Sequence, residues 1–104
     1  MIVRGDLSSG YQGVQGMHAA LQFAFENRDV FDDWHQTSDY LGFLSVANES
    51  ELARVAEQAE ERDIRFSVFR EPDIDNQITA IALEPGTKSK KLCSQLPLAL
   101  RGSK

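Results

Sequence analysis

Tyr11, Gln15, His18 and Gln22 fall at i, i+4, i+7 and i+11, a spacing that aligns side chains in one stripe on a helix. An imidazole in such a stripe can serve as a general base or hydrogen-bond partner, because histidine titrates near neutral pH. A second polar group follows in Arg70-Glu71-Pro72-Asp73-Ile74-Asp75-Asn76-Gln77, with Thr79 just beyond. A carboxylate at Glu71 could orient and charge-stabilise His18, which would then activate water. The three acids at 71, 73 and 75 lack the spacing and glycine of a calcium loop, and neither Cys nor His lies nearby, so no metal or other cofactor is expected. The same residues also suit a histidine bridging core and surface, and a polar connecting loop. Spacing alone leaves both alternatives open.

Other chemistry is sparse. His35, after Trp34 in an acidic segment, reads as structural, and Cys93, beside Leu92 and near Leu96, reads as core filler. The chain has no Gly-x-Ser-x-Gly elbow, Walker-type loop or dinucleotide fingerprint, and Gly10-x-x-Gly13-x-x-Gly16 has the wrong spacing for one. With 104 residues, 41% hydrophobic and 26% charged, the chain fits one domain over residues 1–104 with one real core. A single cysteine excludes an internal disulfide and suits a reducing compartment. No apolar run approaches a membrane span, and the first residues lack a secretory h-region, so a cytoplasmic protein without a membrane partner is expected.

The net charge of −5 is unevenly spread. Residues 1–85 hold six arginines and all sixteen carboxylates, a balance of −10, whereas residues 86–104 hold Lys88, Lys90, Lys91, Arg101 and Lys104 and no acid. This basic C-terminal segment suits either a solvated tail or a local anion-binding edge. The acidity of the remainder argues against nonspecific binding to long duplexes.

The elements that must position these groups follow from periodicity. Ile2 to Leu7 reads as a strand and Tyr11 to Glu26 as a helix, with Val14, Met17, Leu21 and Phe25 as its core-facing stripe. A short helix with Val30, Phe31 and Trp34 follows, then a strand buried on both faces over Tyr40 to Ala47. Asn48 and Glu51 resemble a capping box for a helix burying Leu52, Val55, Ala56 and Ala59. Residues 65–69 and 77–83 read as strands, and a last helix begins near Ser89 and weakens at Pro97. The order β-α-α-β-α-β-β-α predicts a mostly parallel sheet covered on both faces. The helix-free link between its last two strands makes at least one of them antiparallel. The polar stripe should then lie near the carboxyl edge of the sheet, where ligands bind in open α/β folds.

Together these segments resemble the type II peptidyl-tRNA hydrolases. The family's opening Arg-x-Asp-Leu strand and Gly-Lys-x-Ala-Ala-Gln-x-x-His-Ala helix are similar to Arg4-Gly5-Asp6-Leu7 and Gly10-Tyr11-Gln12-Gly13-Val14-Gln15-Gly16-Met17-His18-Ala19. Its second motif, Arg-Asp-Ala-Gly-x-Thr-Gln and a following strand, is similar to Arg70-Glu71-Pro72-Asp73 and Thr79-Ala80-Ile81-Ala82-Leu83-Glu84-Pro85. The resemblance spans roughly residues 1–100. It implies a three-layer α/β/α sandwich around a four-stranded mixed sheet, and metal-independent hydrolysis of the ester joining a peptide to tRNA. It places His18, Glu71 and Thr79 at catalytic positions, with Thr79 on the substrate or oxyanion. Gln15 lies beside them, Tyr11 stands where the family has lysine, and Asp75 aligns with the motif threonine. These three, with Lys88, Lys90 and Lys91, are the expected substrate contacts. Tyr11 and the Glu71-Pro72-Asp73 stretch are similar to a divergent bacterial and phage branch. The expected partner is peptidyl-tRNA or another RNA or nucleotide, with a homodimer also in view. The alternatives are a non-catalytic homologue binding a nucleotide, tRNA end or regulatory ligand in the same cleft, and an interaction protein that dimerises through apolar helix faces.

Overall fold

Two short hydrophobic strands and two longer ones supply the sheet. In the computed structural model, which describes residues 1–101, these are β1 (Ile2–Arg4), β2 (Leu44–Val46), β3 (Phe66–Glu71) and β4 (Gln77–Leu83). Lys104 of the basic segment lies outside the described residues. The strand order is β2-β1-β4-β3, with β1 parallel to β2 and β4 antiparallel to both β1 and β3. The sheet is therefore mixed, as expected. It is not mostly parallel: only one of its three pairings is, because β4 returns directly from β3 through a tight loop into the centre.

Side-chain alternation along β1 and β4 divides the core in two. Ile2, Ile78 and Ile81 pack with Val46, Leu52 and Val55 beneath α3 (Glu49–Glu61), while Val3, Ala80 and Ala82 pack with Ala19 and Phe23 beneath α1 (Ser9–Glu26). The short α2 (Arg28–Thr37) continues from α1, and α4 (Thr87–Leu92) lies against α3. The result is an α/β/α arrangement. Among the described residues, no helix is long and apolar enough to cross a membrane.

Local chemistry explains several boundaries. The β1 strand ends at Arg4 rather than Leu7, because Asp6 folds back to take two hydrogen bonds from the Arg4 guanidinium, both 3.0 Å. The β2 strand is shorter than the apolar run, with Tyr40 and Leu41 exposed. It lies at the sheet edge, where Leu44 and Ser45 are only half-buried, so burial on both faces is not realised. Asn48 caps α3 by accepting from the Glu51 amide at 3.0 Å, and Glu51 accepts in turn from the Ala47 amide at 2.9 Å. The last helix begins at Thr87 and ends at Leu92, ahead of Pro97.

The largest departure lies on α1. Val14, Met17, Leu21 and Phe25, expected in the core, are 45%, 59%, 70% and 82% exposed, and the buried face is Gln12, Gln15, Gly16, Ala19 and Phe23. Small residues on both sides hold the helix close to the sheet: Ala19 packs with Ala80 and Ala82, and Gly16 lies against Phe43 and Val3. A Cβ on Gly16 would meet the Phe43 ring at 2.7 Å and Val3 Cγ1 at 3.4 Å. Around Gly16 there is no room for a long apolar side chain, and Phe23 alone of the large apolar residues of α1 is buried, so the helix is turned with its bulky stripe outward.

Two glycine substitutions separate these effects. A Cβ on Gly13 meets nothing within 4 Å, so Gly13→Ala should stabilise the fold by about 0.5–1 kcal/mol through helix propensity. Gly16→Ala should lower stability by about 1 kcal/mol, because crowding at Phe43 outweighs the same propensity gain. Urea unfolding of both variants measures the difference; a stabilised Gly16→Ala would disprove the close packing.

Candidate functional site

The carboxyl ends of β1 and β3, the start of β4 and the first turns of α1 meet at one edge of the sheet. An irregularity in the β3–β4 ladder shapes this edge. Phe69 pairs with Ala80 but Arg70 pairs with Ile78, so Thr79 is the extra residue on β4. Such a bulge re-aims a side chain. Here the Thr79 hydroxyl reaches the α1 layer and donates to the Gln15 side-chain oxygen. The Gln15 amide then donates to Glu71 Oε1 at 2.8 Å, and the Asp73 backbone amide donates to Glu71 Oε2 at 3.1 Å.

The direction of this chain follows from its partners. Thr79 can donate, and a carboxylate only accepts. Turning the Gln15 amide around would set its oxygen against the carboxylate, so the observed orientation is the one that satisfies all three groups. Gln15 and Thr79 are fully buried, and among the described residues no buried side-chain nitrogen or oxygen lacks a partner. The Gln15 amide, the Asp73 amide and the charge field of His18 hold the Glu71 carboxyl below the usual carboxylate range, against the opposing effect of burial.

His18 sits one turn further along α1, exposed to solvent. Its ring lies flat on Phe69, with centroids 4.4 Å apart and planes 4° from parallel. Among the described residues Glu71 makes no hydrogen bond to His18. The structure brings the two side chains to the same face, but Phe69, not the carboxylate, sets the plane of the imidazole. Tyr11 is half-buried at the same edge; burial, then the charges of Glu71 and Asp73, push its hydroxyl above the usual phenol range. The phenol therefore stays neutral and presents an aromatic plane at this edge.

The remaining expected site residues are more scattered. Asp75 is exposed in the turn after a short 3-10 segment (Pro72–Ile74), in left-handed backbone with φ 61°. Lys88, Lys90 and Lys91 are not brought to this edge. They lie on α4, roughly 20 Å away along β4. Lys88 Nζ donates to the Arg62 and Asp63 carbonyls at 3.3 and 3.4 Å, closing the end of α3, and Lys90 Nζ stands 5.4 Å over the Tyr40 ring. His35 accompanies Asp39 at 3.0 Å on the surface, and burial pushes the Cys93 thiol up, both consistent with structural roles.

Three contributors were missed from sequence. Phe69 read only as an alternating strand residue. Gln12 is buried and donates to the Leu7 carbonyl at 2.6 Å, tying α1 to the turn after β1. Arg4 is buried and donates to Asp6, to Gln77 Oε1 at 2.7 Å and to the Ile78 carbonyl at 3.3 Å. The Arg4–Asp6 spacing within the opening motif was the available signal. A groove of about 450 Å³ opens beyond Asp6, lined by Gly5, Asp6, Ser45, Val46, Ala47 and Glu51. None of the expected site residues line it; the face around His18 is open surface.

The depressed Glu71 pKa has a definite sign in stability. Its contribution is fully present above the unfolded glutamate value, about 4.3, and is lost as pH falls through the lower folded value. The stability gap between wild type and Glu71→Gln should therefore be largest at neutral pH and shrink progressively below that value. Urea unfolding at a series of pH values tests this, and a gap that widens on acidification would contradict the assigned hydrogen bonds.

Compared with known proteins, residues 1–98 match the family model described as peptidyl-tRNA hydrolase PTH2. A search of curated proteins gave no match. The match covers nearly the whole chain and includes both halves of the polar site, Gln15 and His18 on α1 and Glu71 and Thr79 on the β3–β4 hairpin. The chain belongs to the peptidyl-tRNA hydrolase PTH2 family.

Proposed function

We propose that this chain, acting as one domain over residues 1–104 in the cytoplasm, hydrolyses the ester between peptide and tRNA. The family acts on peptidyl-tRNA. The observation that carries the reading for this chain is the buried Thr79–Gln15–Glu71 relay beside a solvent-facing His18 held flat on Phe69. In the proposed reaction His18 takes a proton from water, the resulting hydroxide attacks the ester carbonyl carbon, and the protonated imidazole returns the proton to the departing ribose oxygen. Glu71, kept ionised by its two donors, stabilises the imidazolium through space. Thr79 acts through Gln15 as a positioning residue, since its hydroxyl is already committed to the amide.

Substrate contacts divide by distance. Tyr11 is suited to stack a base of the single-stranded tRNA end, and Asp75 borders the same opening. Lys88, Lys90 and Lys91 would instead meet phosphates of the tRNA body, which is large enough to span the distance from His18. The tyrosine at position 11 and the Glu71-Pro72-Asp73 sequence support placement in a divergent bacterial or phage branch. The missing cation at Tyr11 also favours a second reading, a non-catalytic homologue holding a nucleotide, tRNA end or regulatory ligand at the same edge.

Turnover of a defined peptidyl-tRNA by the purified protein separates the two. His18→Ala should lower kcat by about 10²–10⁴-fold, and Glu71→Gln by less. A folded wild type that binds tRNA without hydrolysing it would establish the second reading instead. Replacing Lys88, Lys90 and Lys91 together with Ala should raise KM, leave kcat unchanged and flatten the salt dependence by about 0.7–0.9 per lost phosphate contact. An unaltered salt slope would remove α4 from the substrate site.

A further inference from the structure

The bulge that aims Thr79 is held from outside its own strand. Ala80 faces the α1 layer, packed with Ala19 and Phe23. Strict alternation would send the preceding side chain to the opposite face, yet the Thr79 hydroxyl reaches Gln15 on α1. Thr79 and Ala80 therefore share one face, and Ile78 turns to the other, among Leu52 and Val55 beneath α3. A bulge of this kind disrupts the local ladder, and the backbone groups it frees must find new partners.

Those partners come from the α3 side of the sheet. The β1–β4 ladder pairs Ile2 with Ile81 and Val3 with Ala80, and stops there. Beyond it, two side chains stand in for the missing strand. Glu49, the first residue of α3, accepts from the Ile78 amide through Oε2 at 2.8 Å. Arg4 donates to the Ile78 carbonyl at 3.3 Å, and that carbonyl belongs to the peptide unit leading into Thr79. Each of the two is itself held. Asp6 and Gln77 Oε1 accept from the Arg4 guanidinium, and its charge attracts that of Glu49. The Glu49 carboxylate lies at the start of α3, where the helix dipole favours an anion.

We propose that Arg4 and Glu49 clamp both backbone polar groups of Ile78, locking the β4 bulge and so aiming Thr79 across the sheet at Gln15. Both are positioning residues. They act through Thr79, which sets the Gln15 amide, which in turn donates to Glu71. The docking of α3 thereby becomes a condition for the order of a site built on the opposite layer. The effect of the clamp on turnover rests on the proposed hydrolysis; its effect on the Thr79–Gln15–Glu71 relay does not.

Carboxyl titration followed by carbon NMR reads the relay directly, because the Gln15 amide is the main influence holding Glu71 below the usual range. Glu49→Ala should move the Glu71 midpoint up, although loss of a neighbouring negative charge would by itself move it down. It should also lower kcat by about 10–100-fold with KM unchanged. Glu49→Gln keeps an acceptor oxygen for the Ile78 amide and should restore both. Arg4→Met, which removes the donors, should move the midpoint up as well. Val55→Ala, in the core beneath α3 and away from the clamp, should destabilise the fold but leave the midpoint in place. Glu49 is only half-buried, so its variants keep the fold, verified by circular dichroism, and they decide the outcome if Arg4→Met does not fold. A Glu71 midpoint unmoved by Glu49→Ala, or moved equally by Glu49→Gln or Val55→Ala, would overturn the proposal. A midpoint shifted as expected in a protein whose wild type shows no turnover upholds the clamp and overturns the hydrolase reading alone.

Discussion

One buried amide holds the functional edge together. Gln15 is the only bridge between α1 and the β3–β4 hairpin in which both ends of a side chain are engaged by groups of opposite need, a hydroxyl that donates and a carboxylate that accepts, among the described residues. Such a bridge in a low-dielectric setting is demanding, because a single missing partner leaves a costly unpaired group. It therefore fixes the rotation of α1 about its axis. That rotation in turn decides which residues of the helix face the sheet, which face Phe69 and which face solvent.

The packing around the bridge is adapted to it. Gly16, Ala19, Ala80 and Ala82 bring backbone to backbone closely enough for the two glutamines to reach across. Glu26 reinforces the far end of α1 by accepting from the Ser67 hydroxyl at 2.5 Å, and Arg65 holds Asp29 at the start of α2. Polar contacts thus pin the helix at both ends while small residues fill the middle. Phe23 is the one large apolar side chain of α1 that turns inward, while Val14, Met17, Leu21 and Phe25 face outward, so polarity and burial are largely reversed along this element.

Periodicity was enough to recover the order of elements, the Asn48 cap, the buried face of α3 and the mixed character of the sheet. It failed on α1 because an apolar stripe at helical spacing carries no label saying which side the protein core is on. Two glutamines next to glycine and alanine were the contrary signal, since small residues permit the approach that lets amides find partners. The site residues were recoverable as a set through the motif resemblance, but their connectivity was not. A one-residue slip in a ladder decides where Thr79 points, and no local pattern announces it. Nor could spacing reveal that Phe69 lies under His18, because the two come from different layers.

The edge of the sheet at β2 has a consequence for the whole chain. Only three residues long, β2 pairs with β1 on one side. On the other, Ser45 donates to the Pro97 carbonyl, Leu44 bridges Leu98, and the Ala99 amide donates to Phe43. A strand left bare on its outer side is a template for adding a strand from another molecule. The segment around Leu98 occupies that template. In this way the stretch after α4 shields the outer side of β2 from the addition of a strand from another molecule.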